Sequence, residues 1–224
     1  MMGGRIALAA VAAALSAMVP MTAAASDAAS PTLAAASTAQ NQPAPAPLPI
    51  AESMPSDRVL GRADAPITII EYASYTCSHC ANFNNQVLPE LKKRYIDTGQ
   101  AKLIFRDLPT APVQVSASLA ALTRCSAPDK FFDVTEYLMA GQEAAFRSND
   151  LSGWMRGAIA HSGRTEEQLV QCMSDESVRE TLNADVQAAQ ASGINGTPAL
   201  FVNGKRVASY GLEDMIGAIT PLLP

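Results

Sequence analysis

Residues 66–80 of this 224-residue chain read Pro-Ile-Thr-Ile-Ile-Glu-Tyr-Ala-Ser-Tyr-Thr-Cys-Ser-His-Cys. The first eight of them form a compact run rich in β-branched residues, which is typical of a buried strand. A helical spacing of apolar residues begins at the cysteine pair and continues to Tyr95, and Pro89 within it predicts a kink or break. Residues 101–106 predict a second strand. Strand, helix and strand in this order predict a βαβ unit with parallel strands and a right-handed crossover.

A long segment after the second strand carries almost no strand signal. Residues 113–192 show apolar residues at helical intervals and predict several helices. One of these helices is predicted to begin at residues 165–168, where acidic residues follow a threonine.

The strand signal returns near the end of the chain. Residues 199–202 and 205–209 flank Asn203-Gly204, a dipeptide that fits a tight two-residue turn, so we expect a β-hairpin. Residues 212–222 predict a closing helix. The full order is βαβ, a helical block and ββα, which predicts an α/β, thioredoxin-like fold with an inserted α-helical domain. The predicted boundaries are 58–112 and 193–224 for the thioredoxin-like domain and 113–192 for the insertion.

The first 57 residues have a different composition from the rest. Arg5 precedes an apolar run over residues 6–19, and small residues end at Ala25. These are the three parts of a cleavable secretory signal peptide over residues 1–25, and the apolar run is shorter than a membrane anchor requires. Residues 26–57 are rich in Ala, Pro, Ser and Thr and predict a disordered linker.

Charge and hydropathy exclude several classes of partner. The chain has 16 Lys and Arg against 21 Asp and Glu, which gives a formal net charge of −5. This composition does not favour binding to the negatively charged backbone of a nucleic acid. No later segment is long and apolar enough to span a bilayer, and we expect no stable membrane insertion of the mature chain.

The spacing of Cys77 and Cys80 suits thiol chemistry. A helix that starts there would place the first sulfur beside free backbone N–H groups, which favour a thiolate, and His79 would favour the same anion. We therefore expect Cys77 to be the exposed reactive sulfur and Cys80 the buried resolving one. A purely structural disulfide and half of a zinc site are the alternatives, but a zinc site needs four ligands and the chain lacks a second closely spaced pair.

A second landmark is Thr197-Pro198, directly before a predicted strand. A proline there cannot donate to the strand ladder. If the bond before it is cis, the loop can turn sharply and present the Thr197 backbone to a partner beside Cys77.

Three separated motifs together resemble the DsbA-like thiol–disulfide oxidoreductases of the thioredoxin superfamily, over roughly residues 58–224. The motifs lie at residues 71–80, 105–109 and 196–204. The resemblance implies a thioredoxin domain with a helical insertion and an activity in thiol–disulfide exchange with exported polypeptides.

The resemblance also implies roles for individual residues. Cys77 would be the nucleophile and Cys80 the resolving thiol, and His79 would stabilise the thiolate. Glu71 matches an acidic position that tunes the thiol pair and assists proton transfer, and its alternative is a satisfied polar residue at a strand end. Thr197-Pro198 would form the substrate-binding loop.

Two positions depart from the best-known members of the family. Those members carry proline where this chain has Ser78, so the reduction potential is not transferable. Some members carry valine where this chain has Thr197, which leaves the balance between oxidase and isomerase open.

Cys125 and Cys172 complete an even count of four cysteines in a chain predicted to be exported, which favours pairing. The resemblance supports a disulfide between helices of the insertion. A structural bond, a regulatory bond that modulates the active pair, and two free thiols are the alternatives.

We therefore expect a periplasmic enzyme that oxidises cysteine pairs in translocated proteins and needs no cofactor or metal. A membrane-bound DsbB-like partner would reoxidise it, as the resemblance implies, and we expect a monomer. An isomerase or reductase that is kept reduced, and a non-catalytic peptide-binding chaperone, are the rival interpretations.

Overall fold

The computed structural model describes residues 53–223. The predicted signal peptide and the predicted linker up to residue 52 lie outside the described residues. The prediction of a disordered linker over residues 26–57 is wrong at the C-terminal end of that segment. The Asp57 side chain is only 3% exposed, and its Oδ1 lies 2.7 Å from Arg106 Nε. The ordered chain thus starts before residue 58.

Five strands form one mixed sheet in the order β1-β3-β2-β4-β5. The parallel pairing of β2 with β3 confirms the predicted βαβ unit, and the other neighbouring pairs are antiparallel. The strands are β1 Arg58–Leu60, β2 Ile67–Ala73, β3 Ala101–Asp107, β4 Ala199–Val202 and β5 Lys205–Arg206.

The two edges of the sheet differ from the prediction. Strand β1 was not predicted, since three residues are too few to show an alternating pattern. The hairpin turn is formed by Asn203 and Gly204, both with positive φ, as a two-residue turn requires. The strand predicted over residues 205–209 is too long. Only the two residues of β5 pair with β4, and the Val207 amide donates one further hydrogen bond to the Leu200 carbonyl before the chain turns away from the sheet.

The helix that follows β2 is not uniform. It consists of α1 Ser78–Asn82, a π-helical segment Phe83–Val87, α2 Leu88–Leu91 and a second π-helical segment Lys92–Ile96. Pro89 has no N–H and crowds the preceding turn, so the regular hydrogen-bond pattern is interrupted around it. The irregularity predicted at Pro89 is confirmed, and it takes the form of π-helical segments on both sides of α2.

Five α-helices make up the segment between β3 and β4, as the periodicity predicts. The fourth of them begins where residues 165–168 predict a helix start, and the Thr165 and Gln168 side chains form a reciprocal capping box there. The helices are α3 Val113–Arg124, α4 Phe131–Ser148, α5 Leu151–His161, α6 Glu166–Ser174 and α7 Glu176–Ala191, with a short 3-10 turn at Pro128–Lys130. Helix α8 Leu212–Ile219 and a 3-10 turn at Thr220–Leu222 close the chain.

Within residues 53–223, no helix has both the length and the apolar character needed to cross a membrane.

Strand β2 is buried on both faces. Alternate residues point to opposite sides, so Ile67 and Ile69 pack in one cluster with the helix after β2, while Ile70 and Tyr72 pack in another that includes Ala189 of α7. A third cluster fills the space between residues 73–81 and helices α3, α4 and α5. The same alternation turns Glu71 toward the side of the sheet where α1 begins.

Candidate active site

The end of β2 leads directly into the cysteine pair. Helix α1 starts at Ser78, and Cys77 is its N-cap residue in an extended conformation, with φ of −90° and ψ of 116°. Cys77 is half-buried, whereas Cys80, one turn into the helix, is 0% exposed, and both thiols are free. The structure therefore buries Cys80 completely and Cys77 only in part, whereas the sequence predicts an exposed Cys77.

The surroundings of Cys77 stabilise its anion. Hydrogen bonds from the Cys80 thiol, the Thr197 side chain and the backbone amides of residues 80 and 79 lower the pKa of Cys77 to about 5, although partial burial opposes the shift. The two backbone amides lie at the positive end of the helix, where a negative charge is favoured. At neutral pH the Cys77 sulfur is a thiolate.

Cys80 behaves in the opposite way. Its burial raises its pKa, and the hydrogen bond to Cys77 and the charges of Glu71 and Cys77 raise it further. Cys80 therefore keeps its proton when Cys77 has lost its own. The two sulfurs of one short motif differ in ionisation because one faces solvent and amide donors while the other faces the core.

Glu71 lies beneath this pair. It is 0% exposed, and burial raises its pKa to about 8, with the negative charge of Cys77 acting in the same direction. Asn84 donates hydrogen bonds to Glu71 Oε1 at 2.8 Å and to the Cys80 carbonyl at 3.0 Å. Among the described residues Glu71 Oε2 has no partner, so Glu71 is not the fully satisfied polar residue of the alternative interpretation.

His79 is exposed, and its ring packs against that of Tyr210 with centroids 5.5 Å apart. Its backbone amide is one of the donors to Cys77. The role of the imidazole in stabilising the thiolate stays a prediction. No sequence pattern indicated Tyr210 beside it.

The loop before β4 reaches the cysteine pair from the other end of the chain. The Thr197-Pro198 bond is cis, and the Cys77 sulfur lies 3.4 Å from the Thr197 carbonyl oxygen, to which it donates when it is protonated. Strand β4 pairs with β2 as far as Tyr72 and Ala199, so the residue before β4 necessarily lies beside the end of β2. Sheet pairing thus brings together residues 120 positions apart.

Comparison with known proteins identifies the family. A sequence model of the family described as "Thioredoxin" matches residues 53–220. The crystal structure of Wolbachia pipientis alpha-DsbA1 superimposes with a TM-score of 0.66 and 28% identity, over 76% of this chain and 92% of that one. This chain is a DsbA-like member of the thioredoxin superfamily. The predicted family and the thioredoxin-like fold with a helical insertion are thereby confirmed.

Curated relatives of this DsbA-like protein are similar over the same region. A Rickettsia bellii protein, provisionally named a protein-disulfide oxidoreductase, is 32% identical over 166 residues. That match covers 73% of this chain but only 63% of the relative. Disulfide bond formation protein D of Bacillus subtilis is 29% identical over 170 residues, which cover 73% of this chain and 75% of that protein.

The structure adds residues to the site that the sequence did not point out. Gln142, which is 3% exposed on α4, donates from its amide to the carbonyls of Tyr75 and Cys77. Asn84 follows Cys80 by four residues, and this helical spacing could have indicated it. Gln142 is a buried amide in a helical stripe that is apolar apart from Thr135, which could have indicated a special role for it, although not its partners.

A cluster of hydroxyl groups holds the loop between β2 and Cys77. The Ser74 hydroxyl lies 2.7 Å from that of Ser116 and 3.0 Å from that of Thr76, and it also accepts a bond from the Thr110 amide. The loop is thereby tied to the segment after β3 and to the first turn of α3.

Cys125 and Cys172 are joined by a disulfide in the structure, with Cα atoms 5.8 Å apart. Cys125 caps the C-terminus of α3 and Cys172 lies in α6, so the bond links two helices of the insertion. In the part of the chain that the structure describes, no group of three His, Cys, Asp or Glu residues is placed to hold a metal ion.

Proposed function

We propose that this DsbA-like protein is an exported thiol–disulfide oxidoreductase that introduces disulfide bonds into newly translocated proteins. The observation that carries the proposal is the opposite ionisation of the two active-site sulfurs, because the pKa of Cys77 is lowered to about 5 while that of Cys80 is raised. A stabilised thiolate is a good leaving group and stabilises the reduced enzyme, so the disulfide form is an oxidant.

The reaction begins with the Cys77–Cys80 disulfide. A substrate thiolate attacks Cys77 Sγ, the bond to Cys80 breaks, and a mixed disulfide between the substrate and Cys77 forms. Cys80 leaves as a thiolate and takes a proton, since its anion is unfavourable in a buried site. Glu71 is protonated below about pH 8 and lies next to Cys80, so we assign it the supply of that proton.

The second step releases the product. Another thiolate of the substrate attacks the substrate sulfur of the mixed disulfide, and Cys77 departs as a thiolate. The substrate has then lost two electrons and gained a disulfide, and the enzyme holds one thiolate and one thiol. Cys77 leaves readily because hydrogen bonds stabilise its charge.

The remaining residues have roles in binding and tuning. Thr197 and Pro198 would present backbone groups to a peptide that lies beside Cys77, which the contact between Cys77 and the Thr197 carbonyl supports. We assign to the His79 imidazole a secondary part in stabilising the thiolate.

The predicted signal peptide and the family support a proposed location and proposed partners. We place the mature protein in the periplasm as a monomer that acts on cysteine-containing exported polypeptides. A membrane-bound DsbB-like protein would accept its electrons and restore the disulfide. The Cys125–Cys172 bond is assigned a structural role.

Two substitutions test the chemistry. We expect Cys77→Ser to abolish oxidation of a dithiol peptide, since the attacked sulfur is missing. We expect Cys80→Ala to accumulate a mixed disulfide when it is mixed with the disulfide-linked dimer of a single-cysteine peptide. The Cys77 thiolate attacks that disulfide and one peptide leaves as a thiolate, and neither Cys80 nor a second thiol of the bound peptide is present to displace Cys77. Peptide oxidation and non-reducing electrophoresis measure the two outcomes. Oxidation that persists in Cys77→Ser would refute the proposal.

The equilibrium of the wild-type pair with glutathione separates the proposal from its rivals. An oxidase should be reduced at low ratios of reduced to oxidised glutathione, whereas a reductase needs high ratios. A peptide-binding chaperone would retain peptide binding in both variants and show no turnover in the wild type.

A further inference from the structure

The helical insertion contributes directly to the geometry around Cys77 through one buried side chain. We propose that Gln142 is a positioning residue for thiol–disulfide exchange, which holds the backbone at residues 75–77 so that the amides of residues 79 and 80 face the Cys77 sulfur. This inference rests on the proposed function and adds a residue outside the cysteine motif and the cis-proline loop.

The contacts of Gln142 are specific to the active-site loop. Its Nε2 donates to the Tyr75 carbonyl at 2.7 Å and to the Cys77 carbonyl at 3.1 Å. A primary amide has two N–H groups, so one side chain can serve both acceptors. At 3% exposure Gln142 is shielded from solvent, and loss of its amide would leave these bonds unreplaced.

The Cys77 carbonyl is the point where the loop becomes a helix. It also accepts the first bond of α1, from the Ala81 amide at 3.1 Å, while Cys77 itself stays extended as the N-cap. The orientation of this carbonyl fixes the peptide plane that leads into Ser78 and hence the direction of the next two amides. Those amides are among the donors that lower the pKa of Cys77.

Other bonds make α4 a rigid support. Asn85 donates to the Met139 carbonyl at 3.0 Å, and the Thr135 hydroxyl lies 3.1 Å from the Tyr75 hydroxyl. Thr135 and Gln142 are two turns apart on the same buried face of α4. Among the residues of α4, all of which the structure describes, Gln142 alone bonds to the backbone of the cysteine motif. Thr135 therefore provides a matched control on the same helix.

The test compares the reduced wild type with Gln142→Met and Thr135→Val. Methionine keeps the length of the side chain but cannot donate, and valine keeps the shape of threonine without its hydroxyl. We expect Gln142→Met to raise the measured pKa of Cys77 by about 0.5 or more and to lower the equilibrium constant for reduction by glutathione about threefold or more. Thr135→Val should lose stability to urea but leave both quantities at the wild-type values.

Two results would overturn the inference. One is a Gln142→Met variant that loses stability but keeps the wild-type pKa and glutathione equilibrium, which would leave Gln142 with a structural role only. The other is an equal change in Thr135→Val, which would assign the effect to loosened packing of α4. If Gln142→Met does not fold, Gln142→Asn decides by the same criteria, because its shorter amide cannot reach both carbonyls. An ordinary thiol pKa in the wild type would instead count against the proposed function itself.

Discussion

Glu71 is a carboxyl group near the active site whose negative charge is opposed by burial. It has no exposed surface, one of its oxygens has no partner among residues 53–223, and its pKa is raised to about 8. In the folded protein the carboxyl holds a proton at neutral pH, whereas in the unfolded chain it is ionised there.

This difference makes the stability depend on pH in a definite direction. Between the ordinary value of 4.5 and about 8, the folded state binds a proton that the unfolded state has lost. The free energy of unfolding therefore falls as the pH rises through this window. Glutamine at position 71 removes the titration and can still accept the hydrogen bond from Asn84.

We expect the oxidised wild type to lose at least about 1 kcal/mol of stability between pH 5 and pH 8 relative to oxidised Glu71→Gln. Urea unfolding of both proteins at the two pH values measures this. The oxidised form is the better choice because neither Cys77 nor Cys80 titrates in it. Parallel stability curves for the two proteins would show that Glu71 does not titrate in this range.

At the scale of elements, the edge of the sheet depends on a buried ion pair. Arg106 of β3 makes two bonds with the Asp57 carboxylate, at 2.7 Å and 2.9 Å, and a third with the Tyr72 hydroxyl at 2.8 Å. The Asp57 carboxylate therefore links the segment before β1 to the inner strand β3.

We expect Asp57→Asn to lower the free energy of unfolding by about 1–3 kcal/mol, because it leaves a buried guanidinium without its carboxylate. The pKa of Cys77 should not change. Asp64→Asn is the matched control, since Asp64 pairs with Arg62 on the surface and its side chain is 72% exposed. Equal unfolding midpoints for the two variants would contradict the role given to Asp57.

The central elements could be predicted from the sequence, but the edges could not. Strand β2 is a run of β-branched residues, and the helical insertion has a clear helical period, so local pattern was sufficient for both. Strand β1 is short, and what makes it a strand is its pairing with Phe105 and its neighbours in β3. The extent of β5 is likewise set by where the chain turns away toward α8.

At the scale of the whole molecule, the site combines segments that are distant in sequence. Cys77 and Cys80 belong to one local motif, so their difference in exposure could be predicted from the start of a helix. Thr197 was indicated by its proline neighbour and by the family resemblance. Gln142 was not predicted, because its bonds depend on how α4 packs against the loop, which no local pattern specifies.

The Cys125–Cys172 disulfide contributes to the free energy of unfolding of the whole chain. It closes a loop across 47 positions between helices of the insertion, and the loss of such a cross-link costs about 2–4 kcal/mol in the chain-entropy description. We expect the double variant Cys125→Ala/Cys172→Ala to be destabilised by this amount in urea unfolding. Its Cys77–Cys80 equilibrium with glutathione should match that of the wild type. A shifted equilibrium would make the bond a regulator of the active pair.

The measurement that bears most directly on the proposed chemistry is a pH titration of Cys77 in the reduced protein, followed by the ultraviolet absorbance of the thiolate. Cys80 stays protonated over the acidic and neutral range, so the transition there belongs to Cys77 alone, and the oxidised protein is the blank. We expect a midpoint at about pH 5. A midpoint near 8.5, the value of a free cysteine, would contradict the account.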